Sequence, residues 1–219
     1  MVKIERSYPA PESLNQKQSY REDDVIQRLE KDFNGKCYIC ELDKLSDINV
    51  EHLNPHKGDE NKKYDWDNLF LSCPHCNSVK NKREYDDKIL DCCKVDPEEK
   101  INFDFDGKNI KVFAKDERDE KAVKTASLVY EVFNIKNTGM RVYTSAFRLN
   151  ALQEKMTVFF KALERYIEKN DKLSLRVLKS ELKRESEFAA FKRAYIRNNY
   201  ESYKKYSELE NIIKILEIK

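Results

Sequence analysis

Two pairs of cysteines in this 219-residue chain share one spacing, Cys37-Tyr38-Ile39-Cys40 and Cys73-Pro74-His75-Cys76. Two residues between paired cysteines let both thiolates reach one ion from a tight turn, and two such turns complete a tetrahedral shell. Four thiolates leave no open coordination position, so the ion expected on Cys37, Cys40, Cys73 and Cys76 is a structural zinc. It staples the ends of a small, weakly cored motif that needs such help to fold. In a reducing compartment, paired spacings of this kind point to metal binding rather than to a disulfide framework. The remaining cysteines, Cys92 and Cys93, are adjacent and cannot converge as a knuckle does, so they read as packed thiols. His75 sits inside the second knuckle and is read as a bystander, with alternative zinc ligand as the competing reading.

What lies between and just after the knuckles is Val50-Glu51-His52-Leu53-Asn54-Pro55, then Trp66-Asp67-Asn68-Leu69, then Cys76-Asn77-Ser78-Val79-Lys80. Together with the cysteines, this order resembles the HNH (ββα-metal) endonuclease family. Its pattern is an acidic residue and His on a first strand, Asn in a second element, and His or Asn opening a helix. The resemblance spans residues 35–85 and implies hydrolysis of nucleic acid phosphodiester bonds. It makes His52 the general base, Glu51 and Asn77 the oxygen ligands of a catalytic divalent ion, and Asn68 the brace that aims His52 at the attacking water. A neutral histidine can accept a proton from water near neutral pH. A divalent cation neutralises the phosphate and the departing alkoxide, and oxygen ligands suit magnesium or manganese.

Glu51 stands where many family members have Asp, and Asn77 where many have His; both replacements favour magnesium or manganese over nickel or zinc. One tension accompanies the assignment. Adjacent strand residues point to opposite faces, so Glu51 requires a local twist or bulge to serve the site that His52 serves. Lys80, Lys82 and Arg83, expected on the helix that carries Asn77, and His56 in the intervening loop are the candidate contacts to backbone phosphates. A solvated surface is the competing reading of each.

The elements needed to hold this site are legible around it. Residues 1–34 read as an irregular arm followed by a helix from Arg21 to Phe33, with Val25, Ile26, Leu29 and Phe33 on one face and Asn34-Gly35 as its stop. Residues 35–95 are the nuclease core: a strand over Ile48–Leu53, a polar loop over Asn54–Asp67, a strand over Asn68–Ser72, and a basic helix starting near Asn77. Residues 96–115 form the hairpin segment, in which Ile101 to Lys115 alternates apolar and polar positions around Asp106-Gly107, a hairpin signal. Residues 116–219 turn helical, with helices expected near 117–134, 140–169, 172–184, 186–198 and 201–216, broken at Asn137-Thr138-Gly139, Asn170-Asp171 and Asn198-Asn199. Phe133, Phe147, Phe159, Phe160, Phe188, Phe191 and Tyr195 recur at three- and four-residue steps there and are expected to pack. The fold class is α+β, mostly α: a zinc-stapled ββα-metal core, a β-hairpin and a long helical region.

Composition sets the wider bounds. With 40% hydrophobic and 37% charged residues, the chain reads as a soluble protein with a modest core and long solvated helices. No apolar run reaches the ~20 residues of a membrane span, and no signal-peptide core is visible, so a cytoplasmic location is expected. Residues 1–120 carry 21 basic against 28 acidic side chains and residues 121–219 carry 21 against 12. That split suggests one part that holds cations and another that holds a polyanion.

Weaker resemblance extends along the chain through Met1-Val2-Lys3-Ile4-Glu5-Arg6, Ile89-Leu90-Asp91, the Asp106-Gly107 hairpin and Glu187-Phe188-Ala189-Ala190-Phe191. These segments are similar to the PtuB-like HNH subunits of Septu-type anti-phage systems, including those of retron operons. That likeness implies an ABC-like or OLD-like (PtuA-like) ATPase partner, and in retron versions a reverse transcriptase with its RNA–DNA hybrid. Residues from 116 onward then become a candidate docking surface, with Lys192, Arg193 and Arg197 as alternative grips on nucleic acid. Two competing functions remain at this level: a non-catalytic zinc-binding interaction module, and a stand-alone restriction or homing nuclease.

Overall fold

A computed structural model describes residues 1–134 and 139–199. The expected break at Asn137-Thr138 and the expected helix over 201–216 lie outside the described residues. The described chain is mostly helical with two small antiparallel sheets. Helix α1 (Glu12–Asn15) and helix α2 (Asp23–Asp32) precede the first knuckle. Val25 and Leu29 of α2 are buried at a four-residue step that continues to Phe33. The helix ends where Asn34 and Gly35 take positive φ values of 54° and 67°, and the Gly35 N–H returns to the Glu30 carbonyl at 2.8 Å. That left-handed stop releases the chain directly into Cys37.

Strand β1 (Asn49–His52) pairs antiparallel with β2 (Leu69–Ser72), His52 opposite Leu69 and Glu51 opposite Phe70. All four residues of β2 are buried, and Phe70 packs edge-on against Phe33, ring centres 5.6 Å apart. The loop between the strands is less irregular than its polar composition suggests. It contains a short helix α3 (Glu60–Lys63), N-capped by Asp59, and a 3-10 turn at Trp66–Asn68, capped by Asp65. Helix α4 (Pro74–Lys80) begins inside the second knuckle, three residues before the expected start at Asn77. Proline is favoured at the first helical position because its missing N–H is an orphan there anyway. The helix also stops at Lys80, so Lys82 and Arg83 lie beyond it.

Helix α5 (Pro97–Lys100) leads into the hairpin of β3 (Ile101–Phe105) and β4 (Ile110–Ala114). Gly107, at φ 92°, supplies the turn inside the Asp106–Asn109 backbone bond. Helices α6 (Glu120–Asn134) and α9 (Ala189–Asn198) pack on this hairpin, while α7 (Gly139–Lys169) packs on α6 and on α8 (Lys172–Leu182). The turn between α7 and α8 is set by Asn170 at φ 47° and by Asp171, whose carboxylate accepts the Ser174 N–H at 2.7 Å. Phe133, Phe159, Phe188 and Phe191 are buried, with Phe160 and Tyr195 packed at the edge of the same core. Phe147 departs from the expected packing: it is 54% exposed, beside Met140 at 77% and Tyr143 at 72% on the same stripe of α7.

Packing adds two contacts that the sequence does not show and overturns one reading. The N-terminal arm is irregular but docked: Arg6 donates to the carbonyls of Trp66 (2.9 Å) and Leu69 (2.8 Å), its guanidinium lying over the Trp66 and Phe70 rings. Lys192, Arg193 and Arg197 are not a nucleic-acid grip. Lys192 and Arg193 are buried, Lys192 pairs with Glu181 at 2.6 Å, and Arg193 and Arg197 reach the buried Glu98 at 2.8 and 2.7 Å. Part of the basic excess of the second half is therefore consumed internally, where a buried carboxylate demands it. The helical region also contacts the nuclease core: Lys36 donates to the carbonyls of Arg184 (2.6 Å) and Ser186 (2.9 Å). Among the described residues no helix is long and apolar enough to cross a membrane.

Candidate active site

The four knuckle cysteines come together. Their sulfur atoms all lie within 4.8 Å of one another, all four residues are buried, and the cluster can hold a metal ion. The first knuckle is laid beside β2 by the Tyr38 N–H bond to the Leu71 carbonyl at 3.0 Å. The second starts α4, with Cys73 as the N-cap. Burial pushes the Cys37 and Cys76 thiols up, while hydrogen bonds from the neighbouring thiols and the charge of Arg148 hold Cys73 far below the usual thiol range. Arg148, from α7, donates to the Cys73 sulfur at 2.9 Å. Four thiolates around a divalent ion leave a net negative charge, and a buried guanidinium in contact offsets it. His75 lies outside the cluster. Its Nε2 faces the Val132 carbonyl at 2.9 Å and its Nδ1 the Thr144 hydroxyl at 2.8 Å, so it fastens the knuckle to α6 and α7.

His52 ends β1 with its ring half-buried between Tyr20 and His56, ring centres 4.8 Å away on each side. Its Nε2 lies 3.0 Å from the Lys63 carbonyl. A carbonyl only accepts, so Nε2 carries the hydrogen and Nδ1 is left as the lone-pair nitrogen. Burial lowers the His52 pKa below its ordinary value, and the charges of His56, Lys80 and Arg21 push the same way. The imidazole is therefore held in the neutral form that a general base requires. The His56 ring is fixed in turn by accepting the Gly58 N–H at Nδ1, 3.2 Å away.

Asn68 binds the loop that carries the Lys63 carbonyl. Its amide donates to the carbonyls of Asn54 and Lys62, both at 2.9 Å, and its oxygen accepts the Asn54 N–H at 2.8 Å. The side chain is thus satisfied at both ends inside the turn. Asn68→Ala should cost about 1–3 kcal/mol in urea unfolding, because buried backbone groups lose their partners. Asn68→Asp should cost more, since a carboxylate would then face two carbonyl oxygens. Unchanged stability in both variants would show that Asn68 does not hold this loop.

Glu51 is buried while its neighbour His52 is half-buried, and β1 pairs with β2 in unbroken register, so the bulge that would turn both side chains to one point is not seen among the described residues. Glu51 Oε1 accepts from the Tyr38 hydroxyl at 2.7 Å and pairs with the Lys80 ammonium at 2.9 Å. Burial, reinforced by the Glu51 charge, holds the Tyr38 phenol well above the ordinary range, so Tyr38 remains a donor. Oε2 of Glu51 is buried and without a hydrogen-bond partner among the described residues. A buried carboxylate oxygen in that condition fits a cation ligand. Asn77 is half-buried on α4, one helical turn before Lys80 and on the same face. One carboxylate oxygen and one amide suit an ion that keeps most of its water, as magnesium and manganese do.

The phosphate-contact candidates divide. Lys80 is 6% exposed; besides Glu51 it donates to the His52 carbonyl at 3.1 Å, so it is an internal group and not part of a phosphate-facing surface. Lys82 pairs with Glu131, which also accepts from Tyr85, while Arg83 is exposed. His56 is half-buried beside His52. Three groups at the candidate site have no counterpart in the sequence reading: Tyr20 and the Lys63 carbonyl beside His52, and Tyr38 on Glu51. Only Tyr38 had a local signal, its place inside a knuckle; Tyr20 arrives from a segment 32 positions away.

Residues 37–83 match the HNH endonuclease family model, which defines this stretch as an HNH endonuclease domain. The chain is also similar to the Septu protein PtuB of Bacillus mycoides (strain KBAB4), with 27% identity over a match covering 51% of this chain and 48% of that protein. It thus spans about half the length of the curated relative it matches. No solved structure matches it significantly.

Proposed function

We propose that this protein is a metal-dependent HNH endonuclease that hydrolyses phosphodiester bonds in DNA or RNA, serving as the toxic effector of a Septu-type anti-phage complex. The observation that supports it best is the His52 tautomer: Nε2 spent on the Lys63 carbonyl, Nδ1 left with its lone pair, and burial keeping the ring neutral. Glu51 and Asn77 are the residues that would hold a divalent ion, magnesium or manganese, which would supply charge neutralisation at the phosphate and the leaving oxygen. For Glu51 this role requires the end of β1 to twist so that Oε2 comes to the side of the His52 ring. His52 Nδ1 takes the proton of the attacking water. Asn68 keeps the Lys63 carbonyl in place and so keeps Nδ1 aimed outward. Zinc on the four cysteines is scaffold.

Control by an ABC-like or OLD-like ATPase is part of the same proposal, supported by the likeness to a Septu protein, and association with a retron reverse transcriptase is the variant of that arrangement. The apolar stripe of Met140, Tyr143 and Phe147 on α7 supports a protein partner, since exposed aromatic and Met residues in one row favour burial. One observation favours the competing reading of a non-catalytic zinc-binding module: Lys80 already neutralises Glu51. Sequencing total DNA and RNA from cells that express the assembly during phage challenge, beside a His52→Ala control, decides between them. Cuts in chromosomal or phage DNA, or in a defined RNA such as a tRNA, should be absent from the control; equal cutting in both refutes a catalytic His52.

A further inference from the structure

The Lys80 ammonium is the least expected group near the base. It is buried, it lies 2.9 Å from Glu51 Oε1, and it donates to the His52 backbone carbonyl at 3.1 Å. Tyr38 occupies the same carboxylate oxygen at 2.7 Å, leaving Oε2 buried and without a hydrogen-bond partner among the described residues. The two oxygens of one carboxylate are therefore unequal: Oε1 is held by a fixed cation and a phenol, and Oε2 accepts no hydrogen bond among the described residues. A buried carboxylate without a nearby cation would be strongly disfavoured, so Lys80 allows Glu51 to keep its place before any metal arrives. The same positive charge repels a divalent ion sharing that carboxylate.

We propose that Lys80 is a positioning residue that acts as the resident counter-cation of Glu51. It holds the carboxylate through Oε1, presents Oε2 to the catalytic ion, and sets a weak affinity for that ion by electrostatic opposition. Tyr38 contributes the hydrogen bond without the charge. The assignment rests on the reading of Glu51 as a metal ligand. It adds that metal loading is limited by a lysine of the site itself, and that one side chain ties helix α4, which carries Asn77, to the strand bearing Glu51 and the base.

The test is manganese binding to the zinc-loaded full chain, read from the electron paramagnetic resonance of free manganese and independent of cleavage. Lys80→Met should bind manganese at least roughly tenfold more tightly than the unmodified chain, the direction set by removing a like charge from the ion's surroundings. Lys80→Arg should stay near the unmodified value, and Tyr38→Phe should shift it by less than about threefold, since a neutral hydrogen bond contributes less than a charge. Unchanged or weaker binding in Lys80→Met overturns the proposal. Thermal melts in chelator for the variants E51Q, K80M and the two combined form a second arm. The double variant should recover the stability that each single variant loses, because both charges leave together. A K80M chain too unstable to fold still decides the matter: recovery in the double variant supports the pair, and no recovery refutes it. An unmodified chain that cleaves but binds no manganese beyond the zinc cluster refutes the metal-ligand reading of Glu51 itself.

Discussion

Cys40→Ser, or prolonged exposure to a strong zinc chelator, is expected to unfold the nuclease core and abolish any activity with it. The argument starts from size. Strands β1 and β2 have four residues each, and helix α4 has seven, too little to hold the loops between them by packing alone. Structural zinc in small domains contributes an apparent ~10–16 kcal/mol, as much as the whole net stability of many domains, about 5–15 kcal/mol. The first knuckle positions Tyr38, which holds Glu51, and the second opens the helix that carries Asn77 and Lys80, so the loss reaches the catalytic residues directly. Arg148 would be left facing a disrupted sulfur cluster, extending the damage into α7. Zinc content by atomic emission and thermal melting by circular dichroism provide the check. One zinc per chain lost together with the melting transition is the expected result; a chain that melts unchanged without zinc would show that the cysteines are only packed thiols. His75→Ala serves as the contrast, keeping its zinc while losing stability through the Val132 and Thr144 contacts.

The second large effect concerns the base. His52→Ala should lower the cleavage rate by about 10²–10⁴-fold, the usual contribution of a positioned general base, while leaving zinc content intact. The ring is half-buried and its contacts are two neighbouring rings and one carbonyl, so the fold should survive its removal. The pH dependence supplies the sharper signature. Burial depresses the His52 pKa, so the neutral base persists as the medium is acidified, and the acid limb of kcat/KM should fall below the ordinary histidine value of 6.5. The same shift works against folding in acid. The unfolded chain takes up the proton first, so stability should decline as pH drops through the ordinary histidine range toward the lowered value. An acid limb above the ordinary value would assign it to another group, as would a limb unchanged in His52→Ala.

Much of the site was legible in the sequence because its parts are local. Spacing alone brings two cysteines of a knuckle to one ion. The order of strand, loop, strand and helix around Glu51-His52, Asn68 and Asn77 follows from short-range pattern, as does the left-handed stop at Asn34-Gly35. Alternation along β1 marked the tension between Glu51 and His52, and the expected twist or bulge is not seen in the register of β1 with β2. What escaped was charge whose partner is distant in sequence. Lys80 looked like one of a run of basic helix residues, and nothing nearby reveals that its ammonium ends on Glu51, 29 positions earlier. Lys192, Arg193 and Arg197 misled for the same reason: a cation reads as solvated until Glu98 and Glu181 are folded against it.

The sequence by itself therefore determined which side chains have the chemistry the proposed site calls for: thiols that could hold zinc, an imidazole that could take a proton, and a carboxylate and an amide that could hold a second ion. Tertiary structure decided how each is set. The Lys63 carbonyl chooses the His52 tautomer, Tyr38 and Lys80 choose which oxygen of Glu51 remains, and Arg148 and His75 bind the zinc knuckle to the helices. The division has one physical cause. Residue identity and short spacing fix what a group can bind, whereas protonation and exposed valence depend on burial and on charges that only the folded chain brings within a few ångströms.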